Sequence, residues 1–279
     1  MIALYDEACH ACNKLVTKKY STSFNSAIRL LHKDLRGPIH DIYGFVRFAD
    51  EIVDTFHEHD KTLLLEEFKE ETWKAIKKGI SLNPILHSFQ LTVNKYHIPQ
   101  TLISSFLSSM ELDLNKKTYE HQHELNQYIY GSAEVVGLMC LYVFCAGDHA
   151  LYQRLKTPAR KLGAAFQKIN FLRDIKADIQ QLDRTYFPAL VAHPLGNIVK
   201  EKIEADIEQD FRDSLEGIRS LPWKAKFGVY TAYRYYYALF KKIKRTEPKN
   251  ILAQRIRVPD YQKLLIVLHA KVRTYIYMI

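Results

Sequence analysis

Apolar residues recur every three to four positions along almost the whole chain, and no stretch of four to eight residues alternates apolar with polar between turn signals. The pattern predicts helices and no strands. The run from Leu138 to Phe144 is too evenly apolar for periodicity to decide, and its flanks assign it to a helix. Breaks are expected at Arg36-Gly37-Pro38, Asn83-Pro84, Ile98-Pro99, Thr157-Pro158, Phe187-Pro188, His193-Pro194, Leu221-Pro222, Glu247-Pro248 and Val258-Pro259. Several of these prolines stand where a first helical turn would begin, which divides the chain into about ten helices joined by short loops. There is no Gly/Ser-rich linker, low-complexity segment or internal repeat, so residues 1–279 read as one all-α domain.

Composition sharpens this picture. Only 10 Gly and 9 Pro are present, too few for a sheet-rich chain of 279 residues, and 47% hydrophobic with 25% charged residues excludes a disordered polymer. Four cysteines do not make a disulfide framework, and Cys9-His10-Ala11-Cys12 has no second ligand pair, so it reads as an ordinary helical face rather than a metal site. The first residues lack the basic and apolar regions of a secretory leader, which points to a reduced, cytoplasmic protein. The longest uncharged apolar window, Val135–Ala146, is short for a bilayer, so no spanning helix is expected, while peripheral contact with a membrane surface stays open.

Lys and Arg number 40 against 31 Asp and Glu, a net charge of +9. That surplus should attract phosphate groups of nucleic acid, lipid or a small substrate. The cluster Tyr230, Tyr233, Tyr235, Tyr236, Tyr237 and Phe240, followed by Lys241, Lys242, Lys244 and Arg245, has the ingredients of a nucleic-acid surface. At helical spacing those rings read better as core and rim, and no nucleic-acid partner is expected.

The candidate chemistry lies in pairs of aspartates four residues apart, a spacing that puts both carboxylates on one face of a helix. Asp50 and Asp54 form one pair, and Asn170, Asp174 and Asp178 form a polar stripe over two turns of an otherwise apolar segment. A third pair, Asp206 and Asp210, lies in a highly charged segment and reads as a solvated face. Carboxylates facing an interior require a cation, either Mg²⁺, whose preferred ligands are oxygens, or neighbouring Arg and Lys. On spacing alone both readings stay open. Arg47 and Arg173 each accompany one motif, and guanidinium forks suit diphosphates.

The combination of Tyr43-x-x-x-Arg47-x-x-Asp50-x-x-x-Asp54, Gln167-x-x-Asn170-x-x-Arg173-Asp174-x-x-x-Asp178 and Arg184-x-Tyr186-Phe187-Pro188 resembles the squalene and phytoene synthases, the trans head-to-head prenyltransferases. The resemblance runs from about Tyr20 to Pro188 and more faintly to the C-terminus. It implies a single-domain isoprenoid synthase fold around a central hydrophobic cavity. By the same resemblance Asp50, Asp54, Asn170, Asp174 and Asp178 bind Mg²⁺, with Mn²⁺ as an alternative. Tyr43, Arg47, Arg173, Arg184 and Tyr186 grip diphosphate, and Gln167 and Asp113 face the site. Ser21-Thr22-Ser23-Phe24 matches a flap motif in which Ser21, Ser23 and Phe24 contact substrate, whereas Thr22 reads as part of a helix cap.

Tyr128 belongs to Tyr128-x-Tyr130-x-x-Ala133-Glu134-x-x-Gly137, where relatives carry glycine at the position of Glu134. That carboxylate either narrows the tunnel or meets a basic partner. Phe24, Phe45, Val136, Leu138, Leu141, Phe166 and Ile169 are candidates for the apolar wall.

The implied reaction joins two allylic prenyl diphosphates through a cyclopropylcarbinyl diphosphate, foremost two geranylgeranyl diphosphates to phytoene in carotenoid biosynthesis. Squalene or dehydrosqualene synthesis from farnesyl diphosphate is an alternative, as is a silent relative serving as a scaffold. NADPH is left undecided, with the reading leaning against its use, and the sequence says nothing of oligomeric state.

Overall fold

The computed structural model describes residues 2–275, which form helices throughout and no strand among those residues. In chain order these are α1 (Ile2–Tyr20), α2 (Thr22–Arg29), α3 (Lys33–Asp54), α4 (Lys61–Lys78), α5 (Pro84–Tyr96), α6 (Gln100–Asn115) and α7 (Gln122–Ile129). A π-helical turn (Tyr130–Glu134) leads into α8 (Val135–Cys145). There follow α9 (His149–Gln181), α10 (Pro188–Ala192), α11 (Asn197–Arg219), α12 (Trp223–Lys244), α13 (Pro248–Ile251) and α14 (Asp260–Tyr275).

Most expected breaks are realised in the expected way. Pro84, Pro188 and Pro248 open helices, while Pro99 and Pro222 sit at N-caps. Side-chain caps start others: Asp60 accepts from the Leu63 amide and Asp148 from the Leu151 amide. Two breaks do not occur. Pro38 lies inside α3, where the carbonyl it leaves unpaired belongs to the exposed first turn, and Pro158 lies inside α9. Pro158 is held by packing: a Cβ on Gly217 of α11 would lie 2.2 Å from the proline Cβ, so glycine there lets the ring press against the α11 backbone. The α9–α11 contact is the most extensive in the molecule.

α7, the π turn and α8 run as one stretch that, contrary to the sequence expectation, is long and apolar enough to cross a membrane by length and composition. Here it is the central core segment, packed against α3, α6 and α9 with more than half of its apolar window buried. Glycines allow close approach on two sides, since a Cβ on Gly163 of α9 would meet the Ala133 carbonyl at 2.8 Å and one on Gly131 the Ser105 carbonyl of α6 at 2.7 Å. The rings of Tyr230, Tyr233, Tyr235, Tyr236 and Phe240 are likewise buried, several against Phe211 of α11, so they serve packing rather than a stacking surface.

One buried polar group makes the fold sensitive to acid. His40 of α3 is 4% exposed, and its Nδ1 has no hydrogen-bond partner. Burial, with Lys14 and Arg36 nearby, pushes its pKa down to about 4. The folded protein therefore keeps His40 neutral while the unfolded chain takes up a proton near pH 6.5, so stability present above pH 6.5 is lost as pH falls toward 4. The loss is roughly 3 kcal/mol at most. The difference in melting temperature between wild type and His40→Leu should change across that window; a constant difference would exclude His40 as the source.

Candidate active site

The helices enclose a cavity of about 560 Å³, lined mainly by apolar side chains. Phe24, Val136, Leu141 and Phe166 contribute to its wall as expected. Phe45, Leu138 and Ile169 do not: each is fully buried in the surrounding core, and Phe45 stacks on Phe89 at 3.9 Å. Their apolar character predicted burial correctly, but not on which side of the cavity wall it would fall.

The polar residues come from separate elements. α3 supplies Tyr43, Arg47, Asp50 and Asp54; α6 supplies Asp113; α7 supplies Tyr128; α9 supplies Gln167, Asn170, Arg173, Asp174 and Asp178. Arg184 and Tyr186, from the segment after α9, and Ser21 and Phe24, from the start of α2, line the same cavity. Of the sequence candidates for metal, diphosphate and flap contacts only Ser23 is absent from the lining. Ser21 caps α2 by accepting from the Phe24 amide at 3.1 Å, which leaves Ser21 and Phe24 on the cavity side and turns Ser23 away from it.

Arg184 ties the polar wall together. Its Nη1 donates to Asp54 Oδ1 at 2.7 Å and its Nη2 to the Asp113 carbonyl at 2.7 Å, while Tyr128 Oη donates to Asp113 Oδ2 at 2.8 Å. The backbone that carries Arg184 is fixed by its own amide on the Asp178 carbonyl and by a short bridge between Thr118 and Thr185. Arg47 pairs with Glu51, lies over the Tyr20 ring at 4.5 Å and reaches Asp50 at 3.9 Å. Arg173 holds Asp174. Gln167 donates to Ser132, and Tyr236 donates to Asn170 at 3.3 Å while stacking on Phe166.

These groups carry strained charge. Burial, with repulsion from Asp54, pushes Asp50 up to about 8 against the opposing pull of Arg47. Its side chain is one-third exposed and lines the cavity, so solvent that enters the cavity tempers this shift. Burial also raises Asp113 to about 7, and burial with repulsion from Asp174 and Asp54 raises Asp178 to about 7. Buried carboxylates that retain protons near neutrality are short of positive charge.

Among the described residues no three His, Cys, Asp or Glu side chains group closely enough to hold a metal by themselves. Pairs of carboxylates facing one cavity instead fit Mg²⁺, which is typically held by one or two protein carboxylates and completes its shell with water and substrate phosphates.

Four further residues stand apart from the motifs. The solvated-face reading holds for Asp206, whose side chain is 56% exposed although it meets Lys168 at 2.5 Å, and fails for Asp210, which is 1% exposed and pairs with Lys168 at 2.5 Å and Lys161 at 2.9 Å. The cations come from α9, so no local pattern in α11 reveals them. Glu134 has the basic partner that was one of its two readings, Arg160 at 2.5 Å, and is absent from the cavity lining. Arg255, not singled out from the sequence, lines the cavity and bonds Asp174 at 2.7 Å. It lies far beyond the motifs, in a basic segment without distinguishing spacing.

The squalene/phytoene synthase family model matches residues 17–262. The chain belongs to that family. It is 26% identical to phytoene synthase of Arthrospira platensis over 283 aligned residues, covering 92% of this chain and 91% of that protein. It is 25% identical to chloroplastic phytoene synthase 3 of Zea mays, covering 96% of this chain and 66% of the maize protein. Among solved structures, a dehydrosqualene synthase in complex with ligand superimposes with TM-score 0.83 at 20% identity, covering 97% of this chain and 98% of that one. Squalene synthase HpnC of Alicyclobacillus acidocaldarius gives 0.75 at 19%, covering 87% and 95%. The fold is that of the isoprenoid synthases, and this squalene/phytoene synthase family member is a prenyltransferase of the head-to-head type.

Proposed function

We propose that the enzyme joins two geranylgeranyl diphosphates head to head to give phytoene. The observation that carries this reading is that both aspartate stripes and four arginines share one cavity whose remaining wall is apolar. Arg47, Arg173, Arg184 and Arg255 bind and orient the diphosphates, with Tyr43 and Tyr186 beside them. Asp50 and Asp54 on one side, and Asn170, Asp174 and Asp178 on the other, would hold Mg²⁺. That ion, when bound, neutralises diphosphate charge and eases departure of the leaving group. The guanidinium groups stabilise the same developing charge from fixed positions.

Phe24, Val136, Leu141 and Phe166 seat the prenyl chains and keep water from the allylic cation, so that the double bond of the second substrate captures it. Loss of a proton from the resulting cation closes the ring to a cyclopropylcarbinyl diphosphate with release of the first diphosphate, and its second ionisation, rearrangement and loss of another proton give phytoene without a reductant. The similarity to curated phytoene synthases supports the longer substrate over farnesyl diphosphate. Prenyl chains of this kind partition into lipid, so the same reading places a cytoplasmic enzyme against a membrane surface.

Purified protein with Mg²⁺, given geranylgeranyl or farnesyl diphosphate with and without NADPH, should release diphosphate and form phytoene from the C20 substrate with no dependence on NADPH. Squalene or dehydrosqualene as the favoured product would reassign the substrate. No diphosphate release from either substrate would overturn the catalytic reading in favour of a silent scaffold.

A further inference from the structure

α14 presents an apolar stripe to the outside of the molecule. Tyr261, Leu264, Leu265, Leu268 and Val272 are each 43–66% exposed, and at 3.6 residues per turn they fall within a sector of roughly 100°. The opposite side of the helix packs on α12, with Ala270 fully buried and Ile266 and Val267 partly so. Packing therefore accounts for one face of the helix and leaves five large apolar residues in a row on the other. Isolated exposed apolar residues are ordinary, but a contiguous stripe of this size marks an interaction surface.

Charge identifies the occupant. Lys271 borders the stripe on one side and Arg273 lies beyond the neutral His269 on the other, all exposed, and after Asp260 at its start the helix carries no Asp or Glu. A second copy of the chain meeting this face about a two-fold axis would set these basic borders against one another. An anionic lipid surface neutralises them while the apolar stripe enters the acyl boundary, the arrangement of an interfacial amphipathic helix.

The position is also informative. Lys263 Nζ lies 3.0 Å from Thr22 Oγ1, next to the cavity-lining Ser21, and Arg255, five residues before α14, reaches into the cavity. The helix thus adjoins the rim of the cavity.

We propose that α14 docks the enzyme on anionic bilayers, with Tyr261, Leu264, Leu265, Leu268 and Val272 inserted at the lipid interface and the cavity rim beside it. The surface stands on its own geometry and takes from the proposed reaction only the reason a membrane would lie there. Flotation of the full chain with vesicles of equal parts phosphatidylcholine and phosphatidylglycerol, or of phosphatidylcholine alone, tests it. Wild type should float with the mixed vesicles and far less with the neutral ones. Leu264→Glu/Leu268→Glu should lower the bound fraction roughly tenfold or more, and Lys271→Glu by less.

Both variants alter exposed positions and should keep the wild-type melting temperature and diphosphate release from detergent-dispersed substrate. Equal flotation of wild type and the double variant would overturn the proposal. So would a wild-type dimer in sedimentation that the double variant abolishes without any vesicle binding, which would make a second copy the occupant. Wild type that floats as described but releases no diphosphate would support the docking surface while overturning the reaction.

Discussion

Asp50→Asn and Asp174→Asn should each lower turnover by roughly 10³-fold, the scale on which charge stabilisation at a leaving group operates. The two variants should nevertheless differ in stability. Asp50 sits where burial and the charge of Asp54 oppose its ionisation. Its folded-state pKa, about 8, exceeds the unfolded value near 4, so the native state binds the extra proton between them and stability falls as pH rises through that window. Asparagine removes this penalty, and the melting temperature of Asp50→Asn at neutral pH should rise.

Asp174 instead satisfies two guanidinium groups, Arg173 and Arg255, so Asp174→Asn should lose stability, by roughly 1 kcal/mol. Mg²⁺ with inorganic pyrophosphate should raise the melting temperature of wild type and do so much less for either variant, because only a ligand that binds the native site shifts unfolding. Full turnover in both variants would remove these aspartates from the site. Loss of turnover accompanied by global unfolding would make them structural.

How far the sequence reaches depends on whether the partner of a residue is local. The stripe Asn170, Asp174, Asp178 and the pair Asp50, Asp54 are visible because helical spacing alone brings their side chains to one face, and apolar neighbours mark that face as interior. Asp210 shares this spacing with the exposed Asp206 and is nevertheless buried, which the charged segment conceals because Lys168 and Lys161 come from a different helix. A buried ion pair of this kind is set by the α9–α11 packing and leaves no periodic mark on either helix.

Pro158 shows the same limit from the side of propensity. In isolation it ends a helix, but the tertiary contact with Gly217 compensates the lost hydrogen bond and α9 runs through it for 33 residues in all. Without that continuity the carboxylates of α9 would not stand opposite α3. Arg255 completes the pattern: its role depends on the chain returning to the cavity after α12, which no short-range signal encodes.

Arg184→Gln should be the most damaging single substitution for stability and should also abolish most activity. The guanidinium is 6% exposed at its side chain and makes two bonds to two different elements, Asp54 of α3 and the Asp113 carbonyl of α6. Removing it leaves the Asp113 carboxyl, 5% exposed, close to Asp54 with no nearby cation, and Asp113 Oδ1 already lacks a hydrogen-bond partner. Breaking a buried pair by deleting one partner costs about 3–5 kcal/mol, and most of that falls on Asp113, because Asp54 is 37% exposed and partly screened by solvent. At about 2–4 °C per kcal/mol the melting temperature should drop by roughly 6–20 °C.

A second substitution separates the structural from the catalytic contribution. Asp113→Asn in the Arg184→Gln background removes the carboxyl that must otherwise take up a proton or stay charged without a cation, and should recover part of the lost stability, giving a coupling energy well outside additivity. It should restore none of the turnover, because the group that grips diphosphate is still missing. Arg184→Lys keeps the charge but cannot direct two donors to Asp54 and Asp113 at once, so it should fold better than Arg184→Gln and remain slow. Additive melting-temperature losses in the double variant would show that Arg184 and Asp113 do not interact. Recovery of turnover with Asp113→Asn would show that Arg184 acts only by neutralising that carboxylate, not by holding substrate.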